Sequence, residues 1–161
     1  MALAYIGLGA NLGEPALQLQ RAIEALRASP GLTVRAESSF YRTDPLGPPG
    51  QADYCNAVVL IETACSPDEV LQRLVAIEDA LGKRRDGPKW GSRRIDLDLL
   101  LYDQMRIDRS DLQVPHPGIT SRNFVLVPLL ELAPDLMLPG LGRARDFLDR
   151  VGMDGIDRWS R

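Results

Sequence analysis

Apolar residues along the chain switch between a period of two and a period near 3.6, and these switches mark out the elements. Leu3 to Leu8 in "MALAYIGLGA" is predicted to be a first strand. Gly7, Gly9 and Gly13 follow at a spacing one residue too long for a dinucleotide fingerprint, so this segment reads as a strand-to-helix turn. Pro15 suits an early helical position, and Ala16, Leu19, Ile23 and Leu26 recur on one helical face that ends near "SPG". "LTVRAESSFYRT" predicts a second strand, and "DPLGPPGQAD" a loop. "YCNAVVLIET" predicts a third strand, with Tyr54 and Asn56 on one face and Cys55 and Ala57 on the other.

The next helix is the best marked. Ser66-Pro67-Asp68-Glu69 has the form of a capping box with proline at the first helical position. Val70, Leu74, Ile77 and Leu81 form its apolar stripe, and Gly82 closes it. A basic loop, "KRRDGPKWGS", leads into a strand containing "IDLDLLLY", then a short hairpin within "MRIDRSDLQVPHPG". A last helical region is expected from "TSRNF", capped by Thr120 or Ser121 and broken at Pro128. The order strand, helix, strand, strand, helix, strand predicts an α+β fold. It corresponds to a ferredoxin-like α/β sandwich with a mainly antiparallel sheet, split βαβ units and an added hairpin. Repeats, low-complexity tracts and linkers are absent, so residues 1–161 are expected to form one domain.

Composition narrows the class. With 45% hydrophobic and 25% charged residues, the chain has ordinary globular character and enough length to bury a core without staples. No apolar run is long enough to span a bilayer, and the N-terminus has no basic segment of the signal-peptide kind, so a cytoplasmic protein is expected. Cys55 and Cys65 stand on what reads as one extended strand, too far apart to be bridged, and are expected to be buried thiols. One histidine and no Cys-x-x-Cys argue against an ordinary zinc site. The net charge of −3 is segregated: residues 83–94 hold six cations against Asp86, leaving −8 elsewhere. That distribution disfavours nucleic-acid binding and favours one local anion site.

Asp96 and Asp98 are the oddest feature of this pattern, two carboxylates in the most strand-like segment. On a strand they share one face, roughly 7 Å apart, where like charges repel unless a cation binds. They can simply project to solvent from an edge strand. Placed behind a cluster of cations, they also form what a metal-bound polyphosphate needs, with metal on one side and guanidinium groups on the other. Trp90 in the basic loop reads either as an anchor on the core or as a lid over a flat ligand. Tyr54 and Phe124 could sandwich a planar heterocycle whose edge Asn56 could read with both a donor and an acceptor. His116 lies between two prolines, and Arg122 sits near a helix start, where a cation is unfavourable unless an anion is close. No Walker loop or nucleophilic triad is present. A small-ligand sensor of the same fold and a metal-dependent phosphodiesterase remain alternatives on these residues alone.

The blocks "YIGLGANLG", "SSFYRTDPLG", "DYCNAVVLIET", "KWGSRRIDLDLL" and "VPHPGITSRNFVLVPLLELAP", in this order, resemble the 6-hydroxymethyl-7,8-dihydropterin pyrophosphokinase family of folate biosynthesis. The likeness runs over nearly the whole chain and fades after about Gly140. It implies transfer of the β,γ-diphosphate of ATP to the pterin hydroxymethyl group, with AMP released. It also implies two Mg2+ ions held by Asp96 and Asp98, and a monomer whose partners are small-molecule substrates. The implied pterin residues are Thr43, Leu46, Tyr54, Asn56, Trp90 and Phe124. The implied ATP residues are Lys89, Arg93, Leu99, His116 and Arg122. Arg93, Lys83 and Arg85 are expected to support the phosphates in catalysis, together with Asp96 and Asp98. Lys83 and Lys89 stand where the family carries other basic residues, arginine at the first, and a lysine lacks the bidentate fork.

Overall fold

The computed structural model describes residues 1–45, 52–82 and 95–160. Strand β1 (Ala2–Ala10) leads into helix α1 (Pro15–Ala28), then β2 (Leu32–Glu37), β3 (Tyr41–Thr43), β4 (Tyr54–Thr63), α2 (Pro67–Leu81) and β5 (Asp96–Tyr102). A small hairpin, β6 (Ile107–Asp108) and β7 (Gln113–Val114), precedes α3 (Asn123–Leu132). The chain closes with β8 (Met137–Leu138), β9 (Gly142–Arg143), α4 (Ala144–Val151) and β10 (Ile156–Arg158).

The main sheet runs β10-β3-β4-β1-β5, with β2 also paired to β4, and every pairing is antiparallel. β1 and β2 therefore run parallel with β4 between them, and β4 and β5 run parallel with β1 between them. Along β1 the even residues Ala2, Ala4, Ile6, Leu8 and Ala10 are buried, and the odd ones turn to the other face. The even face packs under α1 and α2, with Leu19, Ile23, Leu26, Val70 and Leu74 in one core. The odd face is covered at one end by α3 and α4, whose Leu126, Leu129 and Leu148 pack with Val58 and Leu100. Toward the C-terminal end of β1 the cover from α3 and α4 stops, and among the described residues the sheet is left open for a site.

Several local expectations are met and several are corrected. The α2 capping box forms with both reciprocal bonds, and Gly82 ends the helix at φ 151°. The second strand is interrupted: β2 and β3 lie end to end along β4, and Ser38 fills the gap by taking the Val58 N–H on its Oγ at 2.9 Å. β1 runs on through Gly7 and Gly9 to Ala10, so these glycines lie inside the sheet and only Gly13, at φ 62°, belongs to the turn. The cap of α3 is Arg122, without a side-chain cap bond, in place of Thr120 or Ser121. Pro128 stays within α3. An interior proline costs about 3 kcal/mol, and burial of Val125, Leu126, Leu129 and Leu130 on the sheet offsets it. Cys55 and Cys65 are buried free thiols, and burial pushes the Cys55 thiol up to about 12. Among the described residues no helix is long and apolar enough to cross a membrane.

Candidate active site

The register of three adjacent strands builds a trough. Gly9 on β1 lies between Asn56 of β4 and Asp96 of β5, and Gly7 lies between Val58 and Asp98. With no side chain on the middle strand, the polar groups on either side are separated by two strand spacings, roughly 10 Å, across a flat floor. Any larger residue would fill it: a Cβ on Gly9 would stand 2.8 Å from Asn56 Oδ1, and one on Gly7 would stand 3.3 Å from Leu100 Cδ1. The turn reading missed this role. Its signal was the alternation, which places both glycines on the odd face of a strand, where glycine marks a close approach.

A cavity of about 230 Å3 stands over this floor, lined among others by Thr43, Tyr54, Asn56, Asp96, Asp98 and Phe124. Asn56 is only 6% exposed, and its Nδ2 donates to Thr43 Oγ1 at 2.8 Å, so its Oδ1 faces the cavity side with a fixed orientation. Tyr54 comes from the start of β4 and Phe124 from the first turn of α3, both half-buried. The Arg122 guanidinium lies 5.9 Å from the Phe124 ring centroid and crosses close over Gly118.

His116 is fixed beside β5 by two bonds. Its backbone N–H donates to the Leu100 carbonyl at 3.0 Å, and the Gly118 N–H donates to its Nδ1 at 3.0 Å. Because Nδ1 accepts, the neutral ring carries its proton on Nε2, which lies 3.9 Å from Asp98 Oδ2. Burial holds the imidazole pKa below its usual value; Asp98 opposes that shift and Arg122 reinforces it. Asp98 is 49% exposed. Behind the aspartates, the buried Glu78 of α2 accepts the Leu97 N–H at 2.7 Å and so pins the outer edge of β5.

A second cavity, of about 330 Å3, adjoins the first and shares Asp98 and His116 with it. Leu71, Leu97, Leu99 and Leu112 provide its apolar wall, and Asp111 and Gln113 its polar rim. Of these residues, sequence reading singles out Asp98, Leu99 and His116. Leu71 and Leu112 carried no signal beyond ordinary core residues.

The structure thus brings together Thr43, Tyr54, Asn56, Asp96, Asp98, His116, Arg122 and Phe124 around one cavity, with Leu99 in its neighbour. Leu46, Lys83, Arg85, Lys89, Trp90 and Arg93 lie outside the described residues. No group of three or more His, Cys, Asp or Glu side chains able to hold a metal occurs among the described residues. The aspartate pair still fits magnesium, which is usually held by one or two carboxylates while substrate phosphates and waters complete its shell.

Residues 5–134 match the family 7,8-dihydro-6-hydroxymethylpterin-pyrophosphokinase (HPPK). The chain is 42% identical over 158 residues to the 2-amino-4-hydroxy-6-hydroxymethyldihydropteridine pyrophosphokinase of Methylorubrum extorquens, covering 98% of this chain and 99% of that protein. It is 41% identical to the protein of the same name from Pseudomonas aeruginosa, over 96% and 94% of the two chains, and 45% identical to that of Haemophilus influenzae, over 86% of each. The fold is similar to an HPPK-DHPS crystal structure in complex with substrates, with a TM-score of 0.76 at 12% identity. That match covers 98% of this chain and 46% of the longer one. Wild-type Plasmodium falciparum HPPK-DHPS with pteroate gives a TM-score of 0.76, also at 12% identity, over 98% and 47%. With the family match over residues 5–134 and these relatives in agreement, the chain belongs to the 7,8-dihydro-6-hydroxymethylpterin-pyrophosphokinase family.

Proposed function

We propose that this chain transfers the β,γ-diphosphate of ATP to the hydroxymethyl group of 6-hydroxymethyl-7,8-dihydropterin and releases AMP, a step of folate biosynthesis. The observation that carries this reading is the junction of the two cavities at Asp98 and His116. A flat, polar-edged slot on one side suits the pterin. A slot walled by leucines and rimmed by polar groups on the other suits the nucleotide, and the reacting phosphates would meet the hydroxyl between them.

Each side chain then has a physical task. Asn56 offers its Oδ1 to the pterin N–H edge, held in register by Thr43, and the rings of Tyr54 and Phe124 stack on the heterocycle. Leu99 lines the slot for the adenine, and His116 presents its Nε2–H and Arg122 its guanidinium to phosphate oxygens. Asp96 and Asp98 would hold two magnesium ions, which would supply positive charge against the phosphates. From the basic segment, Lys83, Arg85, Lys89 and Arg93 would add cations and Trp90 a cover. Transfer of this kind is catalysed chiefly by alignment and charge stabilisation, so no general base is required. We read the sheet as ferredoxin-like on its two interleaved split βαβ units. We read the chain as a single-domain, cytoplasmic monomer.

The test is chromatography of the nucleotides after incubation with ATP, magnesium and the hydroxymethyl pterin. Pterin-dependent AMP that fails to form in Asp98→Ala supports the assignment. Near-normal turnover in a folded Asp98→Ala would remove the metal role.

A further inference from the structure

We propose that Arg42 is a positioning residue for the pterin side of this site, drawing three carboxylates from three segments into one hub at the cavity mouth. This inference rests on the function proposed above. Arg42 sits on β3 directly before Thr43, and by strand alternation its side chain leaves on the opposite face from the threonine. Its Nη1 lies 3.0 Å from Asp44 Oδ1 and 3.2 Å from Asp53 Oδ2, and its Nη2 lies 2.8 Å from Asp157 Oδ2. The Arg42 side chain is 29% exposed, less than that of any of its three partners. Asp157 first, then Asp44 and Asp53, hold its pKa above the ordinary range for arginine.

These partners flank the site residues. Asp44 follows Thr43 and Asp53 precedes Tyr54, while Thr43 and Tyr54 face each other as the last pair of the β3–β4 ladder. Thr43 is also the acceptor that orients Asn56. The third partner, Asp157, belongs to β10, beyond the residues 5–134 that match the family, and pairs directly with Arg42. A second tie runs beside it: the Asp44 N–H donates to the Gly155 carbonyl at 3.1 Å. Gly155 sits at φ +77°, and a Cβ there would stand 2.9 Å from Asp44 Oδ2. The C-terminal strand is thereby fastened to the rim of the pterin cavity.

Arginine suits the centre of this hub better than lysine. Its planar fork offers five N–H donors in fixed directions to three carboxylates, whereas a lysine ammonium keeps the charge as a compact point with three donors. Without the cation, three like charges are left crowded at the end of the ladder, and their repulsion would splay Thr43 from Tyr54. Asn56 would then lose its orienting partner although the core below it is untouched.

The experiment measures AMP release by Arg42→Met and Arg42→Lys with the pterin and ATP titrated separately, alongside thermal melting. In Arg42→Met the KM for the pterin is expected to rise about tenfold, as for loss of one orienting hydrogen bond, while the KM for ATP stays within about twofold. Arg42→Lys should fall between that variant and the wild type. Adding Asp53→Asn and Asp157→Asn to Arg42→Met should recover most of the loss, because the repulsion goes with the charges. An unchanged pterin KM overturns the proposal. So does a parallel loss of both substrates and of melting temperature that the added substitutions fail to relieve. If Arg42→Met does not fold, Asp157→Asn decides: a smaller rise confined to the pterin KM supports the hub, and no change overturns it. Wild-type protein that makes no pterin-dependent AMP counts against the proposed function instead, so the two failures are distinguishable.

Discussion

Replacing Gly9 with alanine adds one methyl group to the floor of the trough, 2.8 Å from Asn56 Oδ1. That contact is too short to stand, and the neighbouring β1 backbone is locked between β4 and β5, so the Asn56 amide must move. Asn56 is 6% exposed and its Nδ2 is bonded to Thr43 at 2.8 Å, so moving it breaks a buried hydrogen bond. Leaving such a group unpaired costs about 1–3 kcal/mol, which corresponds to about 5- to 150-fold in affinity for a ligand that needs the amide in place. Replacing a strand glycine returns roughly 0.5–1 kcal/mol of chain entropy, so the net loss of stability should be at most about 2.5 kcal/mol. The assay pairs equilibrium pterin binding, followed by protein fluorescence, with thermal melting. Gly9→Ala should bind pterin at least about fivefold more weakly while still melting cooperatively, with a melting temperature lowered by at most about 10 °C. In an Asn56→Ala background the same change should have almost no further effect, since the clash is gone. Wild-type pterin affinity in folded Gly9→Ala would refute the trough as the pterin floor.

Asp98→Ala should lower AMP formation by about three orders of magnitude or more, as for loss of a group that stabilises transition-state charge, while circular dichroism stays native. Ser66→Ala removes the α2 capping box and should cost about 1 kcal/mol, a drop of about 2–4 °C in melting temperature for a domain this size, with kcat unchanged. Glu131 on α3 accepts from Ser39 N at 3.0 Å and from Tyr41 OH at 2.6 Å. Desolvation raises its pKa, but the bonds from Tyr41 and Ser39 outweigh it and leave the carboxyl below its ordinary 4.5. A depressed folded pKa contributes stability above the unfolded value and loses it as pH falls through the folded one. Urea denaturation below pH 4.5 should therefore show a steeper acid loss in the wild type than in Glu131→Gln.

Elements whose signal is local were legible in the sequence. α2 is set by its own capping box and stripe, and α1 by Pro15 and a 3-4-3 spacing, and both form as expected. The aspartate pair was legible for the same reason, because strand alternation alone puts both carboxylates on one face. What depends on neighbours across the sheet was not. Gly7 and Gly9 look like a turn until β4 and β5 flank them. The break at Ser38 shows only where its hydroxyl replaces a ladder bond at Val58. Pro128 reads as a helix end, yet α3 continues because its apolar residues are buried against the sheet and α4. β10 has three residues and two of them are exposed, so no periodicity marks it, and its role rests on Arg42.

The most direct measurement of the proposed activity follows a label placed on the β-phosphorus of ATP through one turnover with the hydroxymethyl pterin. Transfer of the intact diphosphate puts that label in the pterin product and leaves unlabelled AMP. A label retained in ADP, with only the γ-phosphoryl group on the pterin or in free phosphate, would contradict diphosphate transfer by this chain.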